Sequence, residues 1–446
     1  MQAPKQASLQ VTARSLFLGL ALCSCGDGSS PSGPSSATPL SVVMAPGSAL
    51  IGINGAVRFV VVGHEADGRV VPLDAFQLSS LESSIVSLDS SIAIGLRAGI
   101  ARIVARNGSA SDTALVTVAD ILDLSGRDAL RGLFHDPMSI NRDGLIVGQT
   151  FSVRTGPAYG KPFVMTGDWR AVELVLPAGS TAGRANGVSD AGVIVGLSGS
   201  DFLDAHAVVW TPGTGYTWTV TELPWNGGPT SGAHGISPNG DFIAGQLIVQ
   251  LSPNNYDARP GIWTRTAANG WVLETLPVTD GLGGFAAAVN DSGVVAGGLA
   301  YAGIGQAVVW RKQAGVWVIE KLGVQGIDGG SGQAINATGV VAGQSQGAAV
   351  IWTKSGTGWL QQPTFSAQDG VESSFASGIN DAGEVVGAFE KDGSQQPFVW
   401  KGGGYRKLQA LSARGAARAI NARGQVAGVS FESNGATFLG TLWPPR

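Results

Sequence analysis

A ten-residue pattern that occurs seven times constrains the fold of this chain more than any other feature. Residues 378–387 show it clearly: a small residue and a branched one, then Asn, two turn residues, Gly, and an apolar run that ends in a second Gly. The turn glycines of the seven copies are Gly144, Gly192, Gly240, Gly293, Gly339, Gly383 and Gly424. They lie 41 to 53 residues apart, a spacing typical of repeats built from one supersecondary unit.

Each repeat divides into four strand-sized runs. The first ends at the small and branched residues, the second follows the turn glycine, and the third ends in a large apolar residue such as Trp210 or Trp263. The fourth opens with a second ring, such as Trp218 or Trp271. Four short antiparallel strands in about 45 residues are typical of a β-propeller blade. We therefore predict an all-β fold containing a seven-bladed β-propeller of four-stranded blades.

Residue size places the strands within each blade. Strands near a propeller axis are crowded, so the small residue at the end of the first run predicts that this strand is innermost. Tryptophans at a fixed place in the third strand would fill the gap between neighbouring blades, because rings bury a large area. The Asn or Ser three residues before Gly predicts a turn in which its side chain bonds nearby amides and Gly takes the left-handed position.

The last repeat has room for only three strands before the chain ends at Arg446. The apolar segment 121–124, which precedes the first repeat, is able to supply the missing outer strand. Such a clasp would join the two ends of the ring and cover an exposed strand edge. This interpretation assigns residues 121–446 to the propeller; the alternative is an open solenoid of sheets.

Residues 40–120 predict a separate β-sandwich. Short branched runs at 41–44, 57–62, 85–88, 101–105 and 114–118 alternate with turns, as expected for small antiparallel sheets. The order Ala66-Asp67-Gly68-Arg69, Ser83-Ser84-Ile85-Val86 and Gly99-Ile100-Ala101 resembles bacterial Ig-like domains of the second group, although Leu78 stands near the place of the usual tryptophan. The resemblance implies a spacer or an adhesive module, and the spacer is the simpler interpretation.

The first 25 residues are typical of an export signal. An apolar run from Leu16 to Leu22 is too short to cross a bilayer, and Leu22-Cys23-Ser24-Cys25-Gly26 resembles a bacterial lipoprotein box. We predict lipidation at Cys25 rather than Cys23, with residues 26–39, rich in Gly, Ser and Pro, as a flexible tether. The protein would then be anchored to the outer membrane or cell surface by its lipid alone. An ordinary signal peptide, and a secreted product, is the alternative.

The repeats themselves resemble the HAF family of extracellular repeats, named for a His-Ala-Phe run before the third-strand tryptophan. Here His206-Ala207-Val208-Val209-Trp210 is the best match, and other copies have lost the histidine, as in Gln306-Ala307-Val308. The resemblance covers most of residues 120–446. It implies secretion and propeller-like repeats, without a characterised activity.

Composition narrows the functional classes. A net charge of -4 and 13% charged residues provide no basic face for nucleic acid. Both cysteines lie in the lipoprotein box, so the folded part has no disulfide. The four histidines have no metal-ligand spacing, and each turn offers too few oxygen ligands for calcium. We expect neither a metal nor a cofactor.

Function is therefore expected in the loops, which vary in length while the motif turns do not. The candidate ligand-binding residues there are Asp201, Asp204, Trp225, Tyr256, Asp257 and Arg259. They favour a non-enzymatic binding or adhesion protein with a glycan or protein ligand at the cell surface. The alternative is a polysaccharide hydrolase or lyase, in which Asp201 or Asp204 would act together with Asp257.

Overall fold

A computed structural model describes residues 41–53, 55–73, 76–124, 134–151, 160–166, 170–200, 204–225, 227–252, 255–266, 270–279, 283–301, 304–323, 330–432 and 438–445. The lipoprotein box with Cys25, the tether and Asp201 lie outside these ranges. Within them the regular structure is strand throughout, apart from one short 3-10 helix at Ala367–Asp369.

The N-terminal segment forms three small sheets around one core. Its strands are β1 (Ser41–Ala45), β2 (Ser48–Ile51), β3 (Ala56–Arg58), β4 (Val60–His64), β5 (Val70–Pro72), β6 (Gln77–Ser80), β7 (Val86–Asp89), β8 (Ile92–Gly95), β9 (Gly99–Asn107) and β10 (Ala110–Val118). The sheet orders are β1-β4-β5, β2-β10-β9-β6 and β3-β8-β7. Val86, Ile103 and Val116 are fully buried in the shared core.

One strand expected in this segment is divided in two. The run 57–62 reads as a single strand, but Phe59 separates β3 from β4. Its side chain is buried, and its N–H donates to the carbonyl of Ser91 at the end of the β3–β8 pairing, whereas β4 pairs with β1 and β5. Strands β2, β5, β6 and β8 lie outside the predicted runs. Each has only three or four residues, too few for a clear strand pattern in sequence.

Residues 122–443 form seven four-stranded antiparallel sheets. Sheet 1 contains β12 (Phe134–Ile140), β13 (Ile146–Phe151), β14 (Lys161–Met165) and β15 (Ala171–Glu173); sheet 2 contains β16 (Ala182–Val188), β17 (Ile194–Gly199), β18 (His206–Pro212) and β19 (Trp218–Glu222); sheet 3 contains β20 (Thr230–Ile236), β21 (Phe242–Ser252), β22 (Asn255–Arg265) and β23 (Trp271–Thr275). Each of these sheets takes its strands in chain order.

The remaining sheets follow the same plan until the last. Sheet 4 contains β24 (Gly283–Val289), β25 (Val295–Tyr301), β26 (Ile304–Gln313) and β27 (Val316–Lys321); sheet 5 contains β28 (Ser331–Ile335), β29 (Val341–Ser345), β30 (Ala348–Ser355) and β31 (Gly358–Pro363); sheet 6 contains β32 (Ser373–Ile379), β33 (Val385–Lys391), β34 (Ser394–Lys401) and β35 (Gly404–Lys407); sheet 7 contains β36 (Arg414–Ile420), β37 (Val426–Phe431), β38 (Phe438–Trp443) and β11 (Leu122–Asp123).

The array closes on itself. The first strand of each sheet contacts the first strand of the next, and β36 contacts β12. The outer strand of sheet 7 is β11, in which Leu122 pairs with Leu442 of β38. The predicted clasp is therefore confirmed, and the fold is propeller-like rather than an open array.

Tryptophans of the third strand join adjacent sheets, as the sequence predicts. Trp210, Trp263 and Trp310 are fully buried, and Trp210 packs against apolar residues of sheets 1 and 2. Four indole N–H groups donate to a carbonyl just beyond the fourth strand of the preceding sheet, at 2.6 to 2.8 Å: Trp210 to Val175, Trp263 to Pro224, Trp310 to Pro277 and Trp443 to Gln409. Each of these four buried rings therefore has its only polar atom, the indole nitrogen, hydrogen-bonded.

The second series of rings also bridges sheets. Trp317 donates to Glu274 of the preceding sheet at 3.0 Å, and the ammonium of Lys312 lies over the indole. The hydrogen bond from Lys312 lowers the pKa of Glu274 below its usual value. Trp359 makes the equivalent bond to Glu320 at 2.8 Å. These rings serve packing between sheets, in agreement with their fixed sequence positions.

A chain of asparagine hydrogen bonds runs through the turns between first and second strands. Each turn glycine has a positive φ, between 72° and 88°. The Asn side chain accepts from amides of its own turn, as Asn421 does from Arg423 and Gln425. Its Nδ2 then donates to a carbonyl in the next turn: Asn141 to Ser189, Asn290 to Asn336, Asn336 to Asn380, Asn380 to Asn421 and Asn421 to Asn141. The last of these bonds crosses the seam between sheet 7 and sheet 1.

We predict that Asn421→Ala lowers the free energy of unfolding by about 1 to 3 kcal/mol, since it removes the acceptor for two turn amides and the hydrogen bond from Nδ2 to the carbonyl of Asn141. Urea unfolding of the purified chain measures the change. Asp143→Ala is the matched control at the same seam, because the ion pair between Asp143 and Arg423 is exposed and should contribute less than about 1 kcal/mol. Equal effects of the two substitutions would contradict a structural role for the asparagine.

Candidate functional site

Every first strand of the ring contains one extra residue at the same place. The register with the second strand shifts around that residue in all seven sheets, which is a β-bulge. The seven bulge residues are Met138, Asn186, His234, Ala287, Gln333, Ser377 and Arg418. They differ in size, polarity and charge, although the residues on either side of them are mostly Gly or Ala.

A glycine opposite each bulge makes this geometry possible. It is the second Gly of the repeated pattern, such as Gly196 or Gly387. A Cβ at these seven glycines would lie 1.9 to 2.2 Å from the carbonyl oxygen of the residue two before the bulge. A side chain cannot be accommodated at that distance, so the glycine and the bulge require each other.

The seven bulge residues line one central cavity of about 820 Å³. The first strands of all seven sheets contribute to its wall. Turn residues such as Arg142, Asp190 and Asp381 also line it, so it extends toward the face of the ring that carries the Asn-x-x-Gly turns. We call this side the turn face and the opposite side the loop face.

Three bulge side chains donate hydrogen bonds to the adjacent sheet. Asn186 Nδ2 lies 2.7 Å from the carbonyl oxygen of Ala233. His234 Nδ1 lies 3.0 Å from that of Ala286, and Ser377 Oγ lies 2.8 Å from that of Ala417. In each case the acceptor immediately precedes the next bulge residue, so the same backbone position serves as acceptor in three sheets.

The hydrogen bond of His234 fixes its tautomer. A carbonyl oxygen only accepts, so Nδ1 carries the proton and Nε2 is the unprotonated nitrogen. Desolvation by burial lowers the pKa of His234 to about 4; the bond to Ala286 opposes this shift, and the positive charge of Arg184 adds to it. The ring is therefore neutral at physiological pH.

Two arginines of the first strands, Arg184 and Arg418, also line the cavity. Arg184 Nε donates to Oδ1 of Asn186 at 2.6 Å, which orients both side chains. Arg418 Nε lies 3.6 Å from Oδ1 of Asp136, whose side chain is largely buried. The second guanidinium is therefore largely neutralised by its carboxylate.

The carboxylates near the mouth of the cavity belong to the turns. Asp190, Asp291 and Asp381 accept the backbone N–H of Arg142, Asn239 and Ala337, each in the preceding turn, at 2.8 to 3.1 Å. They therefore join consecutive turns, a role that agrees with the turn interpretation of these acids rather than with calcium binding. In the part of the chain that the structure describes, no group of three or more His, Cys, Asp or Glu side chains is placed to hold a metal ion.

The five predicted loop residues that the structure describes lie elsewhere, and none of these five lines the central cavity. Asp204 accepts from the N–H of Ser200 at 2.8 Å and from its hydroxyl, and so closes the loop between β17 and β18. Trp225 stacks on His206, with ring centroids 4.3 Å apart and 32° between the planes. Asp201, the remaining candidate of this loop, is outside the described residues.

The other three candidates lie on the longest hairpin of the ring. Strands β21 and β22 each have 11 residues, and Tyr256 near the tip is 52% exposed. Asp257 and Arg259 form an ion pair at 2.6 Å, with both side chains about one fifth exposed. The structure therefore brings Asp257 and Arg259 together.

The bulge residues were missed in the sequence prediction, although a signal for them exists. The residue two before the branched position varies from Ala to Arg, whereas its neighbours are almost always Gly or Ala. When a variable residue lies between two small residues in a repeated strand, its side chain is not needed to pack neighbouring strands together. The sequence prediction gives every position of the repeated pattern a structural role, including this one.

Comparisons with known proteins show likeness in architecture alone. No family model and no curated protein matches the chain. A puromycin hydrolase structure is 14% identical over 70% of this chain and 50% of its own, with a TM-score of 0.44. TolB from Acinetobacter baumannii is 13% identical over 79% of this chain and 83% of its own, with a TM-score of 0.39. A post-proline cleaving enzyme from Rickettsia typhi is 13% identical over 81% and 57%, with a TM-score of 0.37.

The chain thus spans half the length of the puromycin hydrolase it matches. Likenesses this distant concern the all-β, propeller-like fold. As to membranes, no helix within the described ranges has the length and apolar character needed to cross one.

We predict that His234 makes the protein less stable in acid. Its folded pKa is about 4 and its unfolded value is near 6.5, so between these values the unfolded chain binds a proton that the folded chain does not. Stability is therefore lost as the pH falls from about 6.5 to 4, by roughly 2 to 3 kcal/mol from this residue. His135 is fully buried, and burial lowers its pKa as well, so it acts in the same direction.

Denaturant unfolding between pH 4 and 7 tests this for the unmodified chain and for His234→Gln. The variant should lose less stability over the interval, because glutamine keeps a donor for Ala286 without titrating. An NMR titration of the imidazole should place its midpoint near pH 4. The same slope in both proteins would refute the assignment.

Proposed function

We propose that this protein is a surface-anchored, non-enzymatic binding or adhesion protein. In this proposal a seven-bladed propeller presents a ligand-binding surface on its loop face. An Ig-like β-sandwich at 40–120 acts as its spacer, and a lipid on Cys25 anchors it to the outer membrane or cell surface. The seven four-stranded sheets, the clasp and the three small N-terminal sheets support this arrangement. The resemblance of the repeats to the HAF family is part of the same proposal.

The observation that carries the proposal is the exposure of two aromatic side chains on the loop face of sheets 2 and 3. Trp225 follows the last strand of sheet 2 and is 36% exposed, and Tyr256 lies on the long hairpin of sheet 3. The chain just after Trp225 packs against that hairpin, since a Cβ at Gly228 would lie 1.9 Å from the carbonyl oxygen of Ile248. We define the loop-face cluster as His206, Trp225, Tyr256, Asp257 and Arg259.

This cluster has the properties of a binding surface. Exposed Trp and Tyr provide large contact area with few rotatable bonds, which makes them frequent hot spots of interfaces. The stack on His206 and the ion pair of Asp257 with Arg259 hold the neighbouring side chains in place. Ordered loops on a rigid scaffold are a common location for recognition. A glycan or a protein at the cell surface is the proposed ligand.

We predict that Trp225→Ala and Tyr256→Ala each weaken ligand binding about tenfold or more, because truncating a hot-spot aromatic removes most of its contact area. Binding of the purified chain to a glycan array and to cell-surface extracts identifies the ligand, and its affinity for each variant is then measured. Tyr216→Ala is the matched control. Tyr216 is 46% exposed and lies beside the turn residues Asn141 and Gly192 on the turn face. A protein that binds nothing in either assay would leave the proposal without support.

The anchor has its own test. We predict that Cys25→Ser moves the protein from the membrane fraction to the soluble fraction, because the thiol that would carry the lipid is removed. Cys23→Ser is the matched control and should remain in the membrane fraction. Mass spectrometry of the mature N-terminus identifies the modified residue. Release by Cys23→Ser instead would move the anchor to that residue, and release by neither would contradict lipidation.

A further inference from the structure

We propose that the central cavity is a second ligand site, which takes a neutral saccharide unit through its hydroxyl groups from the turn face. The site is distinct from the loop-face cluster, none of whose residues lines the cavity. Its recognising groups are the bulge residues, whose side chains vary from sheet to sheet.

Hydrogen bonding within the ring decides which atoms remain for a ligand. Asn186, His234 and Ser377 each donate one hydrogen bond to a backbone carbonyl of the next sheet. Gln333 Nε2 likewise donates to Ser331 Oγ at 2.8 Å. The cavity wall therefore offers acceptors, namely Nε2 of His234, Oε1 of Gln333 and a lone pair of Ser377 Oγ, beside the second N–H of each amide group.

A wall that both accepts and donates hydrogen bonds suits a ligand whose groups do the same. Saccharide hydroxyls donate and accept at once, so they satisfy these acceptors and still receive a bond from a guanidinium such as Arg184. Because the lowered pKa of His234 keeps its ring neutral, Nε2 accepts across the physiological pH range. A ligand that only accepts hydrogen bonds would leave the wall unsatisfied, which is costly for partly buried groups.

The apolar part of the wall fits the other face of a sugar. Phe285, Met138 and Ala287 line the cavity beside the polar groups. The ring of Phe285 packs edge-on against His234, with centroids 6.4 Å apart and 67° between the planes. The C–H face of a pyranose is flat and apolar and would pack on such a surface. The volume of about 820 Å³ lies within the usual range of small-molecule sites.

Charge favours a neutral sugar over an acidic one. Three carboxylates, those of Asp190, Asp291 and Asp381, line the turn end of the cavity. Asp190 is paired with Arg142 at 3.6 Å, so Asp291 and Asp381 are the carboxylates that would repel an anion entering there. Deeper in the cavity the guanidinium of Arg418 is paired with Asp136. Arg184 therefore serves better as a hydrogen-bond donor to hydroxyls than as one half of a strong anion site.

Saturation-transfer NMR on the full chain tests the proposal with glucose, galactose, mannose, N-acetylglucosamine and galacturonate as probes. We expect at least one neutral sugar to bind, to shift the imidazole signal of His234, and to bind more tightly than galacturonate. Gln333→Ala should weaken that binding about 3- to 10-fold, as expected for the loss of one hydrogen bond. Its side chain is exposed to the cavity, so the fold should tolerate the change.

Gln250→Ala is the matched control, because Gln250 is an exposed glutamine at the loop-face end of β21. This variant should bind the sugar as the unmodified chain does.

Absence of binding by all the neutral sugars, or equal affinity of Gln333→Ala and the unmodified chain, would overturn the proposal. Loss of sugar binding in Tyr256→Ala but not in Gln333→Ala would place the sugar in the loop-face cluster, which supports the proposed function and removes this second site. Preference for galacturonate would refute the choice of a neutral ligand.

Discussion

Crowding of seven strands around one cavity is the constraint on which the rest of the ring depends. The first strands contact one another in a closed cycle, and the residues next to their bulges are nearly all Gly or Ala. Close approach of backbones brings carbonyls of one sheet within reach of side chains of the next. The Asn-to-carbonyl bonds of the turns and the Asn186, His234 and Ser377 bonds at the bulges both exploit that proximity. The tryptophans perform the same joining role further from the centre, where the gap between sheets is wider.

The fold was largely predictable because each repeat carries redundant signals. Turn glycines, third-strand tryptophans and the apolar segment before the first repeat predicted the four strands, the packing between sheets and the clasp, and the structure agrees. The N-terminal segment was less predictable, since it has no repetition: Phe59 reads as part of a continuous strand, yet its burial divides that strand in two. Short polar strands such as β6 depend on partners remote in sequence, which a local pattern does not report.

The candidate site was predictable only in part. Aromatics in long loops stand out against a regular repeat, so the sequence singles out Trp225 and Tyr256, and the structure shows both side chains exposed. The cavity was not, because a bulge is defined by the register of two strands and leaves no mark on the alternation of apolar and polar residues. Ion pairs pose the same difficulty: the spacing of Asp257 and Arg259 on one strand permits their contact, but the contact of Arg418 with Asp136 joins opposite ends of the ring sequence.

The clasp has a further consequence, for the order of events in folding. Leu122 pairs with Leu442, so the sheet that completes the ring requires segments from both ends of the ring sequence. Contacts so far apart in sequence give a high contact order, and folding rates fall as contact order rises. Six of the sheets are contiguous in the chain and are able to form as it is synthesised, whereas the seventh waits for the C-terminal strand. Until that strand arrives, sheets 1 and 6 each present an uncovered face, and ring closure is the step that removes both at once.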